Sequence, residues 1–408
     1  LVEFAYRSNT YEYDDSHCEF LITNWDSEFI ITTFYQLLHS IFTNMNKNIR
    51  KLVSIHNAVI ILDEVQSIPQ KYWKLVNKVF ISLSELYNIR FILVTATLPL
   101  LFQPGEIKEL VPLKEQYFRQ LNRIILDVSH MKKSMGIELF VKDVLQKIEN
   151  EPDKSILIML NTIKSSIKVF QLLKKHGLEV VYLSTNIVPK ERLERITNIK
   201  ESTRRMIVVS TQLIEAGVDI DFDIVFRDFA PLDSLFQTCG RCNRNSIRGK
   251  GIVYVYLLEN EKGENYCKYI YDTVNRTKTF ALLETRDKID EKDFYSLSCE
   301  YYEAIATMKG DSDSDFLLQC INSLNYKDAF DSKKRFQLIE SIPSTTAFIA
   351  IDETAEDLWN EYRALIQNKE MNGFKKRMAI KKHLRKMELY MISMRKQQEE
   401  NKGFYYIS

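Results

Sequence analysis

Glycine and proline are scarce, at 11 and 8 of 408 residues, so collagen-like and low-complexity readings fail. Cysteine is sparse too. Six residues (Cys18, Cys239, Cys242, Cys267, Cys299 and Cys320) are too few for a disulfide framework at this length, and a reducing, cytoplasmic setting is expected. No apolar run approaches the ~18–20 residues that span a bilayer. The longest, such as Ala58–Leu62 and Ile156–Leu160, have the length of buried strands, and no membrane partner is expected. A basic-then-apolar secretory leader is also missing. Neither charge dominates: the formal net charge is +1, so a polyanion would be held only through local patches.

What is present is a globular composition, 45% hydrophobic and 27% charged, long enough for two or three domains. In the first region, residues 1–112, Asn57–Leu62 and Arg90–Val94 read as strands. Between them Trp73, Val76, Phe80 and Leu83 recur at helical spacing, with Pro69 placed to open the helix. Over 113–262 strands at Ile156–Leu160, Glu179–Leu183, Met206–Val209, Ile224–Phe226 and Ile252–Leu257 alternate with helices near 165–176 and 190–199. That alternation predicts βαβ units and a parallel sheet. Residues 263–408 predict a helical accessory domain. Near its end, Lys375–Lys396 carries nine basic residues against the single acid Glu388. Ile380, Leu384, Met387, Met391 and Met394 predict one basic amphipathic helix there.

Asp63-Glu64-Val65-Gln66 closes the first strand, and ligand chemistry in open parallel sheets sits outside such carboxyl ends. A carboxylate there can hold Mg²⁺, and its neighbour can activate a water. The next strand ends in Thr95-Ala96-Thr97, whose hydroxyls are candidate hydrogen-bonding groups. Later, Ser210–Asp221 follows a buried strand, and Gln237–Arg244 reads as helix. At i, i+4 and i+7, Gln237, Arg241 and Arg244 would share one face, suited to a triphosphate. Cys239 and Cys242 form a C-x-x-C without the second pair a zinc site needs, and read as small core-side residues.

Ile31-Thr32-Thr33-Phe34, Asp63-Glu64-Val65-Gln66, Thr95-Ala96-Thr97, Asn161-Thr162, Ser210–Asp221 and Gln237–Arg244 occur in one order. That series resembles the later motifs of superfamily-two helicases, and most of all the CRISPR-associated helicase of type I systems. The closest segments are Ile31–Leu38, Thr211–Asp219 and Gly240–Arg244. The resemblance implies an α/β fold of two RecA-like domains, the first truncated at its start, plus the accessory domain. It implies ATP and Mg²⁺ as cofactors, single-stranded DNA and the surveillance complex (Cascade) as partners, and an HD nuclease fused or separate.

Carried over by position, Asp63 would coordinate Mg²⁺ and Glu64 would activate water, with Gln66, Thr95 and Thr97 coupling nucleotide state to movement. Arg241 and Arg244 would be arginine fingers, and Gln237, Gly217 and Asp219 would complete the nucleotide side. Thr32, Thr33, Asn161, Thr162, Ser210 and Thr211 would hold the DNA strand by its phosphates. Thr238 departs from the arginine usual after the leading glutamine, and Ser184-Thr185-Asn186 lacks the arginine that often follows the serine. The first glycine is Gly105, beyond the Asp63-Glu64 strand, so no G-x-x-x-x-G-K-[S/T] loop precedes it. No histidine is followed by aspartate either. The expectation is a C-terminal piece of a longer helicase, inactive alone. The rival expectations are another superfamily-two helicase acting on DNA or RNA, and a non-hydrolysing nucleic-acid-binding remnant.

Overall fold

The computed structural model describes residues 4–5, 21–95, 101–103, 105–202, 204–215, 217–246, 249–306, 312–331, 336–338 and 343–395. The chain divides into two compact units, Leu1–Pro112 with Ser298–Ser341, and Leu113–Leu297 with Ile342–Ser408. Of the C-terminal third, residues 298–341 group with the first unit and the rest with the second.

In the first unit, β1 (Val59–Asp63) pairs in parallel with β2 (Arg90–Val94), with Asp63 opposite Val94. Helix α1 (Phe34–Ile41) is capped by Thr33, whose hydroxyl accepts the Gln36 N–H at 3.1 Å. Helix α2 (Trp73–Leu86) buries Trp73, Val76 and Phe80 of the predicted stripe and leaves its fourth member, Leu83, half-buried. Later residues pack on it. Ser314 Oγ donates to the Lys71 carbonyl at 2.6 Å and accepts the Leu75 N–H at 3.2 Å, and the Tyr302 ring lies 6.2 Å from Trp73.

The second unit is built on a seven-stranded sheet. In chain order its strands are β3 (Ile124–Asp127), β4 (Ile156–Met159), β5 (Val180–Leu183), β6 (Ile207–Ser210), β7 (Ile224–Asp228), β8 (Gly251–Tyr256) and β9 (Lys288–Asp290). Their spatial order is β9-β3-β8-β7-β4-β6-β5, with β9 antiparallel and every other pairing parallel. Every residue of β4, β6 and β7 is buried. Strands covered on both faces read as unbroken apolar runs, which is why they stood out in the sequence.

Helices α3 (Ile137–Asn150), α4 (Ile163–Lys175), α5 (Pro189–Glu201) and α6 (Leu232–Cys239) connect these strands. In α3, Ile137, Phe140, Val141, Val144 and Ile148 form the buried stripe. Pro189 opens α5, where its missing N–H costs nothing. A hairpin of Ser344–Phe348 and Met391–Arg395 encloses two further helices, Glu353–Gln367 and Gly373–Met387. The single helix expected over 375–396 is thus corrected. It ends at Met387 because Met391–Arg395 pairs as a strand, with Tyr390 buried beside Phe348. Among the described residues no helix is long and apolar enough to cross a membrane.

Candidate functional site

In the first unit Asp63 ends β1 with its side chain exposed, and its Oδ1 accepts the Glu64 N–H at 2.9 Å. Glu64 itself takes a left-handed backbone, φ 55°, an uncommon conformation for a side-chain-bearing residue. That turn aims the chain back on itself, and Gln66 Nε2 donates to Glu64 Oε2. Thr95, just past β2, donates to Gln66 Oε1 at 2.5 Å. Glu64, Gln66 and Thr95 thus form one hydrogen-bonded chain across the carboxyl ends of two parallel strands. Thr97, named with them, lies outside the described residues.

One exposed carboxylate is a fitting donor set for Mg²⁺, which keeps several waters and takes one or two carboxylates plus substrate phosphates. In the same unit Thr33 caps α1, and the Thr32 hydroxyl is buried without a hydrogen-bond partner among the described residues.

In the second unit the predicted face of Gln237, Arg241 and Arg244 does not exist, because α6 ends at Cys239. Beyond it the chain bridges to Phe222: Phe222 N–H donates to the Arg241 carbonyl, and Asn243 N–H to the Phe222 carbonyl. Asn243 turns the chain with φ 44°, and its side-chain amide donates to the carbonyls of Arg123 and Gly249. Gln237 stays on the last turn of α6, while both arginines sit on the following turn.

That turn is fastened to the loop after β6. Arg241 donates from Nε to the Ile214 carbonyl at 2.9 Å and from Nη2 to the Glu215 carbonyl at 2.7 Å. Two of its N–H groups hold the loop in place. Arg244 is exposed, with Nε 3.3 Å from Asp219 Oδ1, and its N–H donates to Asp221 Oδ1 at 2.7 Å. Arg123 donates to the Arg244 carbonyl at 3.2 Å and is itself clamped by buried Glu291. Gly217 takes φ 76°, a conformation its missing Cβ permits. So Gly217, Asp219, Arg241 and Arg244 are brought together.

Three expected strand-binding residues are buried, and a fourth, Thr162, is half-buried. Asn161 is 1% exposed, its amide donating to the Phe229 carbonyl and its Oδ1 accepting from Arg227. Ser210 is fully buried and donates to the Leu183 carbonyl at 3.0 Å. Thr211 is buried, and Thr162 caps α4 by accepting the Ser165 N–H. The buried side chains of Asn161, Ser210 and Thr211 are thus corrected from direct phosphate contacts to groups that shape the loops, while half-buried Thr162 stands at the surface end of its turn. Thr238 is also buried, bonded to the Ser234 carbonyl, where an arginine would find no room.

Burial pushes the Cys239 and Cys242 thiols up, leaving them inert, and a Cβ at Gly251 would stand 2.5 Å from Cys242 Sγ. Sequence reasoning missed Arg227 altogether. Its signal was a cation inside the apolar run Ile224–Asp228.

A family model described as CRISPR-associated nuclease/helicase Cas3, C-terminal, matches residues 152–247. The chain is 26% identical over 345 residues to the CRISPR-associated nuclease/helicase Cas3 of Haloferax volcanii, covering 62% of this chain and 37% of that relative. Its fold is similar to T. fusca Cas3, with a TM-score of 0.61 and 15% identity over 89% of this chain and 50% of that one. It is also similar to a chain of a CRISPR RNA-guided surveillance complex, pre-nicking, with a TM-score of 0.61, 14% identity, and coverage of 91% and 54%. The chain spans roughly a third to a half of the length of these relatives.

Proposed function

We propose that this chain, similar to the CRISPR-associated nuclease/helicase Cas3 of Haloferax volcanii, forms the helicase part of an ATP-driven motor on single-stranded DNA. The motor opens target DNA for degradation in CRISPR defence, and a surveillance complex recruits it; the likeness to a chain of such a complex supports that partner. The observation that carries the reading is the chain Glu64–Gln66–Thr95 at the mouths of two parallel strands. Such a linkage lets the group that faces water report its state to the next strand.

Bound Mg²⁺ would neutralise charge on phosphate oxygens. Asp63 would hold that cation, with one oxygen steadied by the Glu64 N–H. Glu64 takes the proton from the attacking water, and Gln66 fixes its carboxylate in place. In the second unit Arg244, exposed and paired with Asp219, presents a cation suited to phosphate charge, while Arg241 keeps the supporting loop in position. No G-x-x-x-x-G-K-[S/T] occurs before Asp63, so the phosphate cradle comes from polypeptide outside these 408 residues, and the chain alone is inactive.

The test compares ATP turnover, with and without single-stranded DNA, by the 408-residue chain and by a protein that also carries the cradle. DNA-stimulated turnover is expected only from the second, and Glu64→Gln abolishes it while ATP binding persists. Efficient turnover by the chain alone, or turnover surviving Glu64→Gln, overturns the reading. Strand displacement on matched duplexes separates DNA from RNA motors; faster opening of RNA would move the assignment to another superfamily-two helicase.

A further inference from the structure

Arg227, the next-to-last residue of β7, is completely buried at the carboxyl edge of the sheet, where its neighbours Val225 and Phe226 are apolar. A guanidinium in such a place is expensive unless its hydrogen bonds are met. Its partners come from four separate segments. Nη1 donates to Asn161 Oδ1 at 2.8 Å, beyond β4. The two Nη2 hydrogens are shared among Glu215 Oε1 at 2.6 Å in the loop after β6, Ser234 Oγ at 2.9 Å in α6 and the Tyr271 hydroxyl at 2.8 Å, while Nε–H has no partner among the described residues. A second ring closes around it. Ser234 Oγ donates to Glu215 at 2.8 Å, and Gln212 Nε2 donates to the Asn161 carbonyl at 3.0 Å.

The same segments carry the groups described above. The Glu215 and Ile214 carbonyls seat Arg241, and Asp219, four residues beyond Glu215, pairs with Arg244. Asn161 is followed by Thr162, the cap of α4. Packing alone would be served by an apolar residue at 227, as at 225 and 226. What the cation adds is direction: it bonds the loop that seats the arginines to the turn before α4.

We propose that Arg227, clasped by Glu215 and Tyr271, is a positioning residue that couples the Asn161-Thr162 turn to the arginine-seating loop, so that strand binding sets the rate of nucleotide turnover. The coupling function rests on the motor reading; the mechanical tie does not.

Two variants test it, Tyr271→Phe and the pair Arg227→Met with Glu215→Leu, which replaces both buried charges by apolar groups that such sites often tolerate. Hydrogen exchange on the 408-residue chain is expected to rise about tenfold or more in both 161–166 and 211–215, while β4 and β7 keep their protection. In the protein carrying the phosphate cradle, the DNA-stimulation factor is expected to fall by about tenfold in Tyr271→Phe, with DNA-free turnover within about twofold of the parent. Exchange that rises in one segment only, or in neither, overturns the tie. Unchanged DNA stimulation despite raised exchange overturns the coupling. If the parent shows no DNA stimulation, it is the motor reading that fails, and the exchange result still decides the tie. Should the paired variant not fold, Tyr271→Phe decides alone.

Discussion

Thr95 donates its hydroxyl hydrogen to the side-chain oxygen of Gln66 at 2.5 Å, joining the residue just past one parallel strand to the turn beyond its neighbour. Because Gln66 in turn donates to Glu64, a change at that carboxylate has a physical route to the second strand.

Thr95→Val keeps the shape of the side chain and removes that donor. A lost hydrogen bond is worth about 1 kcal/mol, roughly a fivefold effect. Base pairs opened per ATP consumed should fall by about that factor, while ATP binding is unchanged. Equal coupling in parent and variant, measured by strand displacement against phosphate release, would remove Thr95 from the relay.

Arg244→Ala and Arg241→Ala should fail differently. Arg244 is exposed, so its loss should cut turnover by about 10³-fold or more with little change in thermal stability. Arg241 holds two loop carbonyls, so its loss should also loosen residues 211–215, seen as faster proteolysis or hydrogen exchange. An unaltered kcat in Arg244→Ala contradicts the role assigned to it.

Thr162→Ala removes the cap of α4 and should cost about 1 kcal/mol in urea unfolding, whereas Thr162→Ser or Thr162→Asn should restore it. A variant that loses DNA affinity with no loss of stability would make Thr162 a direct phosphate contact.

Asp228 is fully buried, and burial raises its carboxyl to about 7 from an ordinary 3.8. A folded value above the unfolded one means that the stabilisation is complete below about pH 4, is lost as pH rises toward 7, and is level above that. Asp228→Asn should flatten this slope, which amounts to up to about 4 kcal/mol. Urea midpoints at pH 5 and pH 7.5 measure it. Glu215 adds a slope of the same sign in both proteins, since burial raises its carboxyl too. Identical slopes for parent and variant would show that Asp228 keeps its charge throughout.

Legibility in the sequence followed burial. β4, β6 and β7 were readable because both of their faces are covered, leaving uninterrupted apolar runs. Strands β3 and β9 at one side of the sheet were missed, since Lys288–Asp290 is three residues long with a single buried one. Helix periodicity predicted α2 well but could not see that α6 stops at Cys239. What stops it is a bridge to Phe222, fifteen or more residues earlier in the chain. For the same reason the partners of Arg241, the backbone carbonyls of Ile214 and Glu215, were not legible.

Residue chemistry and its order along the chain were enough to indicate the parallel α/β architecture and to single out Asp63, Glu64, Arg241 and Arg244. Only tertiary structure decided which polar groups remain accessible. It took Asn161 and Ser210 inside, set Arg227 among them, and left Arg244 at the surface. The physical reason is that polar identity is local, whereas a hydrogen-bond partner dozens of residues away is chosen by the register of the sheet.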